Sequence, residues 1–151
     1  SFSARKVAEL YSVRLILEQE AIRLAARRAT DKQLKELEQI LNDMLQAGRK
    51  GQADKVVELD LQYHAKIWEL ADHQLLNQIL NGLSSQIRAY IAVHTSLYED
   101  LASSIETHKG LFNALKARDE EASAALMHQH LTEASEVVTK FAIAQEQRSS
   151  V

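Results

Sequence analysis

The sequence predicts an all-α fold, an antiparallel bundle of about six helices, and three observations predict it. Proline is absent from the 151 residues and glycine occurs only at positions 48, 51, 82 and 110, so long helices meet few breakers. Apolar residues recur with a period near 3.6 along most of the chain. The β-branched runs bounded by turn residues that strands require are missing. With 46% hydrophobic and 26% charged residues, the chain has the balance of one soluble globular domain spanning residues 1–151.

The first helix is expected over residues 4–28, with Val7, Leu10, Leu17, Ala21, Leu24 and Ala25 on one face. Thr30 and Gln33 form a capping box that opens a second helix. That helix carries Leu34, Leu37, Leu41, Met44 and Leu45 and stops at residues 48–51. The third, residues 52–71, places Val56, Val57, Asp60, Tyr63, His64, Ile67, Leu70 and Ala71 on one side and Lys55, Glu58, Gln62, Lys66 and Glu69 on the other. A fourth helix over residues 75–98 is expected to bury Ile79, Leu80, Leu83, Ile87, Ile91 and Leu97. Residues 99–102 read as a connection, with Ser103 and Glu106 as a second capping box starting the fifth helix, which carries Ile105, His108, Leu111, Phe112 and Leu115. Asp119 is the N-cap of the last helix, whose inner face holds Met127, His130, Leu131, Ala134, Val138 and Phe141.

Composition excludes several chemistries. Without cysteine there are no disulfides, thiolate metal sites or cysteine nucleophiles, so any metal is held by histidine and carboxylate. The net charge of −3 argues against this chain gripping a phosphate backbone by itself. No apolar run is long enough to cross a bilayer and no signal segment opens the chain, so a cytoplasmic location and no membrane partner are expected. The His-Glu-x-x-His and Glu-x-x-His metal motifs, the Gly-rich phosphate loop and the Gly-x-Ser-x-Gly elbow are all missing, and no enzyme is expected.

Asp60 and His64 are the anomaly. They stand four residues apart in the middle of the apolar face of the third helix, one turn from each other, so both can converge on one ion. An unpaired carboxylate buried there costs several kcal/mol (roughly) or becomes neutral, and a nearby cation relieves that cost. His108 and His130 lie on the apolar faces of two later helices. Each histidine alone is explained by a hydrogen bond within the core, but three helices each aiming such groups inward point to a divalent metal. Zinc is the first expectation, and nickel, iron or manganese remain open.

Arg14 and Glu18 are also inward and also i, i+4. They read either as a buried ion pair that fixes packing or as part of an anion site, in which the Arg14 guanidinium orients a small organic acid beside the metal. His94 points inward on the fourth helix and reads first as a satisfied core histidine and second as a candidate for that cavity, His73 is expected to be exposed at a helix boundary, and Arg88 reads as a surface residue.

These residues resemble a known family. Leu10-Tyr-Ser-Val-Arg14-Leu-Ile-Leu-Glu18 and Ala25-Ala26-Arg27 look like the start of the FCD domain, the effector-binding half of GntR-type bacterial transcription regulators of the FadR subfamily. Asp60-Leu-Gln-Tyr-His64, Glu106-Thr-His108, Ala114-Leu-Lys-Ala-Arg-Asp119 and Met127-His-Gln-His130-Leu131 continue the match over nearly the whole chain. The resemblance implies a metal site at Asp60, His64, His108 and His130, selecting His130 over His128 as the helical wheel does. It departs at Asp72-His73-Gln74, where the family more often has a Gly-Asn turn.

What the resemblance implies is a ligand-sensing and dimerisation domain. A small carboxylate effector binds at the metal, with Arg14, Glu18 and His94 as its other contacts, and the homodimer controls DNA binding through an amino-terminal winged helix-turn-helix expected to be absent from this chain. Two other readings stay open on the residues alone. A metal-dependent hydrolase of an ester, lactone or phosphate would use Glu18 as general base, and a purely structural helical interaction module would treat the histidines as core.

Overall fold

The computed structural model describes residues 2–150, and among them there are seven α-helices and no strand. Helix α1 (Ala4–Arg28) is capped by Ser3, whose side chain accepts from the Lys6 amide. Helix α2 (Asp31–Arg49) opens with the Thr30/Gln33 capping box, both of its hydrogen bonds formed. The helix runs through Gly48 rather than stopping there. A Cβ at Gly48 would lie 2.6 Å from Ile105 Cδ1, so that glycine serves close packing, and Gly51 at φ +70° makes the turn.

Helix α3 (Ala53–Leu70) is buried on more than the predicted face, with Leu59, Leu61 and Trp68 also inside, while Lys55, Glu58, Gln62 and Glu69 stay exposed. Such a helix forms the centre of a bundle. It packs on α1 and α2, and the α2 contact is antiparallel, because Lys66 late in α3 pairs with Glu36 early in α2 at 2.5 Å.

The fourth expected helix is two. Helix α4 (Gln74–Gly82) and helix α5 (Ser84–Ser96) are separated at Leu83, where φ −97° and ψ 0° leave the helical range. Gly82 is the residue least held to helical dihedrals, and the chain resets after it. The short α4 buries only Leu76 and Leu80, leaving Ile79 exposed, and Leu97 falls beyond the last turn of α5 and is exposed as well. The expected burial of Ile79 and Leu97 is therefore corrected.

Helix α6 (Leu101–Lys116) starts two residues before Ser103. Asp100 is its N-cap, accepting from the Ala102 amide at 3.1 Å, and Ser103 Oγ donates to Asp100 Oδ2 instead of capping. Helix α7 (Glu120–Ser149) begins at Asp119 as expected. It runs antiparallel along α1: Glu146 accepts from the Ala4 amide at one end, and Arg27 pairs with Glu120 at the other.

The turn between α3 and α4 contains Asp72 at φ 50°, in the left-handed region that glycine and asparagine occupy most easily. Arg28 Nη1 holds this turn by donating to the Ala71 and Asp72 carbonyls at 3.0 and 2.9 Å. His73 is exposed and caps α4, its Nδ1 accepting from the Leu76 amide. Arg88 is a surface residue paired with Glu58. No helix among the described residues is long and apolar enough to cross a membrane.

Candidate metal centre

Side chains from α3, α6 and α7 converge inside the bundle. The Nε2 atom of His64 lies 3.4 Å from Asp60 Oδ1 and 3.3 Å from His130 Nε2, and His108 Nε2 lies 2.9 Å from the same Asp60 oxygen. Ligand atoms of the three histidines fall within 4.8 Å of one another. Asp60, His64 and His108 are buried and His130 is half-buried, while His128 is exposed. The helical register thus brings together the four residues that the sequence singled out.

The outer ring nitrogens explain how the inner ones are aimed. His64 Nδ1 is 2.8 Å from Glu18 Oε1, His108 Nδ1 is 3.0 Å from the Ile105 carbonyl, and His130 Nδ1 is 2.8 Å from Thr107 Oγ1. A carbonyl and an ionised carboxylate only accept, so His64 and His108 carry their protons on Nδ1 and direct Nε2 inward. The inner Nε2 lone pairs then face an ionised Asp60 oxygen and one another. Acceptors held this close repel unless a proton or a cation lies between them. A shared ion suits these three short distances: ligand atoms about 2.0–2.2 Å from one ion lie roughly 2.8–3.6 Å apart for octahedral to tetrahedral angles. The donor set therefore fits a divalent metal.

Without an ion, the electrostatics favour a proton in the place that a metal would take. Burial would raise the Asp60 carboxyl, but His108 and His64 outweigh it and hold the group well below the usual range. For Glu18, burial is again the largest influence, opposed and overcome by Arg14, His64 and Trp68, which keep it ionised. His64, opposed by burial, is pushed up to about 9 by Glu18 and Asp60. His130 is driven down by burial and by the neighbouring His108 and His64.

Beside the four groups is a cavity with a free volume of about 20 Å³, the room of a single water-sized body. Arg14 and Tyr11 from α1, His94 and Ile91 from α5, Ser104 from α6, and Leu131 and Ala134 from α7 complete its wall. Arg14 uses Nε to donate to Glu18 Oε2 at 2.6 Å, and among the described residues its Nη atoms make no hydrogen bond. His94 is half-buried, its ring lies tilted at 57° to Tyr98 with centroids 4.9 Å apart, and it is pushed down by burial, which outweighs the opposing Asp60 carboxylate. Arg14 and His94 thus reach the cavity named for them. Glu18 does not: it is fully buried behind His64, taking hydrogen bonds from Arg14, His64 and Trp68 Nε1.

Tyr11, Trp68, Thr107 and Ser104 belong to this centre and were not singled out in the sequence. Tyr11 and Trp68 had a signal, since Tyr11 is one turn before Arg14 and Trp68 one turn after His64 on the same faces. Tyr63 was read as core, and its hydroxyl donates to the His108 carbonyl at 2.9 Å, tying α3 to α6. Thr107 had none, because its partner is on another helix.

The comparisons with known proteins agree with this architecture. The gluconate operon transcriptional repressor of Bacillus subtilis (strain 168) is 24% identical over 147 residues, which cover 94% of this chain and 60% of that protein. The galactonate operon transcriptional repressor of Escherichia coli (strain K12) is 27% identical over 124 residues, 81% of this chain and 53% of that protein. The chain thus spans a little over half the length of these relatives, which are named as regulators and not as enzymes. The solved structure of E. coli McbR/YncC superposes with a TM-score of 0.83 at 21% identity, covering 93% of this chain and 71% of that one, which shows a shared fold. Residues 9–133 match the FCD domain, and the chain belongs to that family, as the FCD domain of a GntR-type transcription regulator.

Proposed function

We propose that this domain senses a small carboxylate metabolite at a divalent metal held by Asp60, His64, His108 and His130. The observation that carries the reading is the convergence of three inward Nε2 atoms on the Asp60 carboxylate, each histidine braced from behind at Nδ1. Zinc is the first candidate, with nickel, iron and manganese open. When bound, the ion supplies positive charge and open coordination positions that anchor an anion. Four protein ligands already complete a tetrahedron, so sensing requires a five- or six-coordinate ion.

The protein's own groups orient the effector. The unengaged Nη atoms of Arg14 present a fork suited to a carboxylate, and Tyr11, whose hydroxyl burial pushes up to about 12, stays a hydrogen-bond donor. The names of two relatives, for gluconate and galactonate operons, favour sugar acids or other hydroxy acids. Because the cavity holds only one water-sized body, an effector must displace its wall, and His94 on α5 is one half-buried part of that wall, with His130 and Ala134 on α7. Binding thereby favours an altered placement of α5 against α3.

In this reading the response passes to DNA through a winged helix-turn-helix domain outside residues 1–151, and the FCD domain forms a homodimer. Val13 and Ile16 on α1 and Leu75 and Ile79 on the adjoining α4 are exposed apolar residues, Ile16 by 73%, which supports such an interface. Ile16→Glu is expected to convert a dimer to a monomer by light scattering, and an unchanged mass would remove this surface from the interface.

The deciding experiment is a thermal-shift screen of small carboxylates with and without chelator. The proposal expects a rise in Tm from metal alone and a further rise from the matching acid only when metal is present. A stable protein that takes up no metal would refute it, and steady consumption of the acid would favour a hydrolase.

A further inference from the structure

Glu18 occupies an unusual position in the network. Its carboxylate is fully buried and both oxygens are engaged: Oε2 accepts from Arg14 Nε at 2.6 Å, while Oε1 accepts from His64 Nδ1 at 2.8 Å and Trp68 Nε1 at 3.0 Å. One acidic group from α1 therefore touches both the anion-facing arginine of its own helix and the metal-facing histidine of α3. We propose that Glu18 is a positioning residue that aims His64 Nε2 at the metal and the Arg14 fork at the effector at once, so that one carboxylate sets both halves of the sensing site. This rests on the metal reading above.

The chemistry of the three donors makes the carboxylate necessary. Arg14 has no acceptor and Trp68 Nε1 only donates, so each needs an oxygen. His64 is different, because its Nδ1 either donates or accepts according to tautomer. With both Glu18 oxygens accepting, His64 carries its proton on Nδ1 and leaves Nε2 free for a metal.

An isosteric Glu18→Gln replaces one of those oxygens by a donor. Placed at Oε2, the new amide nitrogen opposes the charged Arg14 Nε and finds no acceptor; placed at Oε1 it opposes Trp68 Nε1 but can donate to His64 Nδ1, so it turns to the Oε1 side and the Trp68 hydrogen bond is lost. That forces the His64 proton onto Nε2, pointing it into the cluster where the ion would bind. The expected defect is in metal affinity, beyond any loss of packing. Hydrogen-bond partners of ligating histidines typically change metal affinity by about 10–100-fold when removed.

The test compares the wild-type chain with Glu18→Gln and Leu80→Ala, using zinc alone in competition with a colorimetric chelator. Leu80→Ala hollows the buried core at α4, outside the cluster and its cavity, so it should lower Tm while keeping zinc affinity close to wild type. Glu18→Gln should weaken zinc by about 10–100-fold. A second measurement needs no variant: in the zinc-loaded wild-type protein, the His64 Nδ1 proton should appear by NMR as a downfield, slowly exchanging resonance. Wild-type zinc affinity in Glu18→Gln, or a His64 bearing no Nδ1 proton in the loaded protein, overturns the positioning role while leaving the metal site standing. If the wild type itself takes up no zinc, the metal reading falls and this role with it.

Discussion

Replacing His130 by alanine separates metal binding from folding better than any other ligand change. His130 is half-buried, and its Nδ1 contact to Thr107 is exposed, whereas His64 and His108 are embedded in the core. In the metal-free protein the substitution removes the Thr107 hydrogen bond, worth about 1 kcal/mol, together with the 3.3 Å contact to His64 Nε2. For a domain of this size that lowers Tm by roughly 2–4 °C. In wild type, free metal at about 100 times its Kd adds about 2.7 kcal/mol, a rise of roughly 5–11 °C. If loss of one ligand weakens binding by about a hundredfold, the same metal concentration equals Kd and contributes only about 0.4 kcal/mol, or roughly 1–2 °C. Differential scanning fluorimetry of both proteins, each with chelator and with metal, reads the four values directly. A His130→Ala protein that keeps the full metal-dependent rise would refute the ligand assignment.

Three further outcomes follow from the same geometry. Arg14→Gln leaves Glu18 buried without its cation and is expected to cost about 3–5 kcal/mol in urea unfolding. It should also abolish the carboxylate-dependent shift in Tm while metal uptake persists, and a retained carboxylate response would remove Arg14 from the effector contacts. Thr107→Val keeps shape but takes away the outer partner of His130, so metal affinity by chelator competition should fall by about tenfold or more with little change in metal-free stability. Asp72→Gly relieves a left-handed residue on an exposed turn and should raise stability by up to about 1 kcal/mol, measured by denaturant midpoint; an unfolding midpoint that falls would mean that the Asp72 side chain sustains the turn.

Much of the fold was legible because it depends on neighbours in sequence. The bounds of α1, the Thr30 capping box, the Asp119 cap and the predicted inner face of α3 all appear in the structure. Local signals failed where two competed or where packing decided. Ser103 and Glu106 have the spacing of a capping box, but Asp100 captures the helix start three residues earlier. The apolar period runs unbroken through Gly82, so nothing in it marks the division of α4 from α5 or the exposure of Ile79.

The candidate centre divides in the same way. Asp60 with His64, and Arg14 with Glu18, are pairs on single helices, and a rise of about 1.5 Å and a turn of about 100° per residue place each pair on one face without reference to the rest of the chain. Which face meets which is another matter. The rotation and depth at which α1, α3, α6 and α7 pack decide that His108 reaches Asp60, that Thr107 rather than a backbone carbonyl braces His130, and that Glu18 lies behind His64 instead of in the cavity. The sequence by itself determined an all-helical chain with inward metal-type ligands and the family resemblance they carry. Only the tertiary structure decided which atoms converge and which residues aim them, because that depends on side chains from separate helices meeting within hydrogen-bond distance.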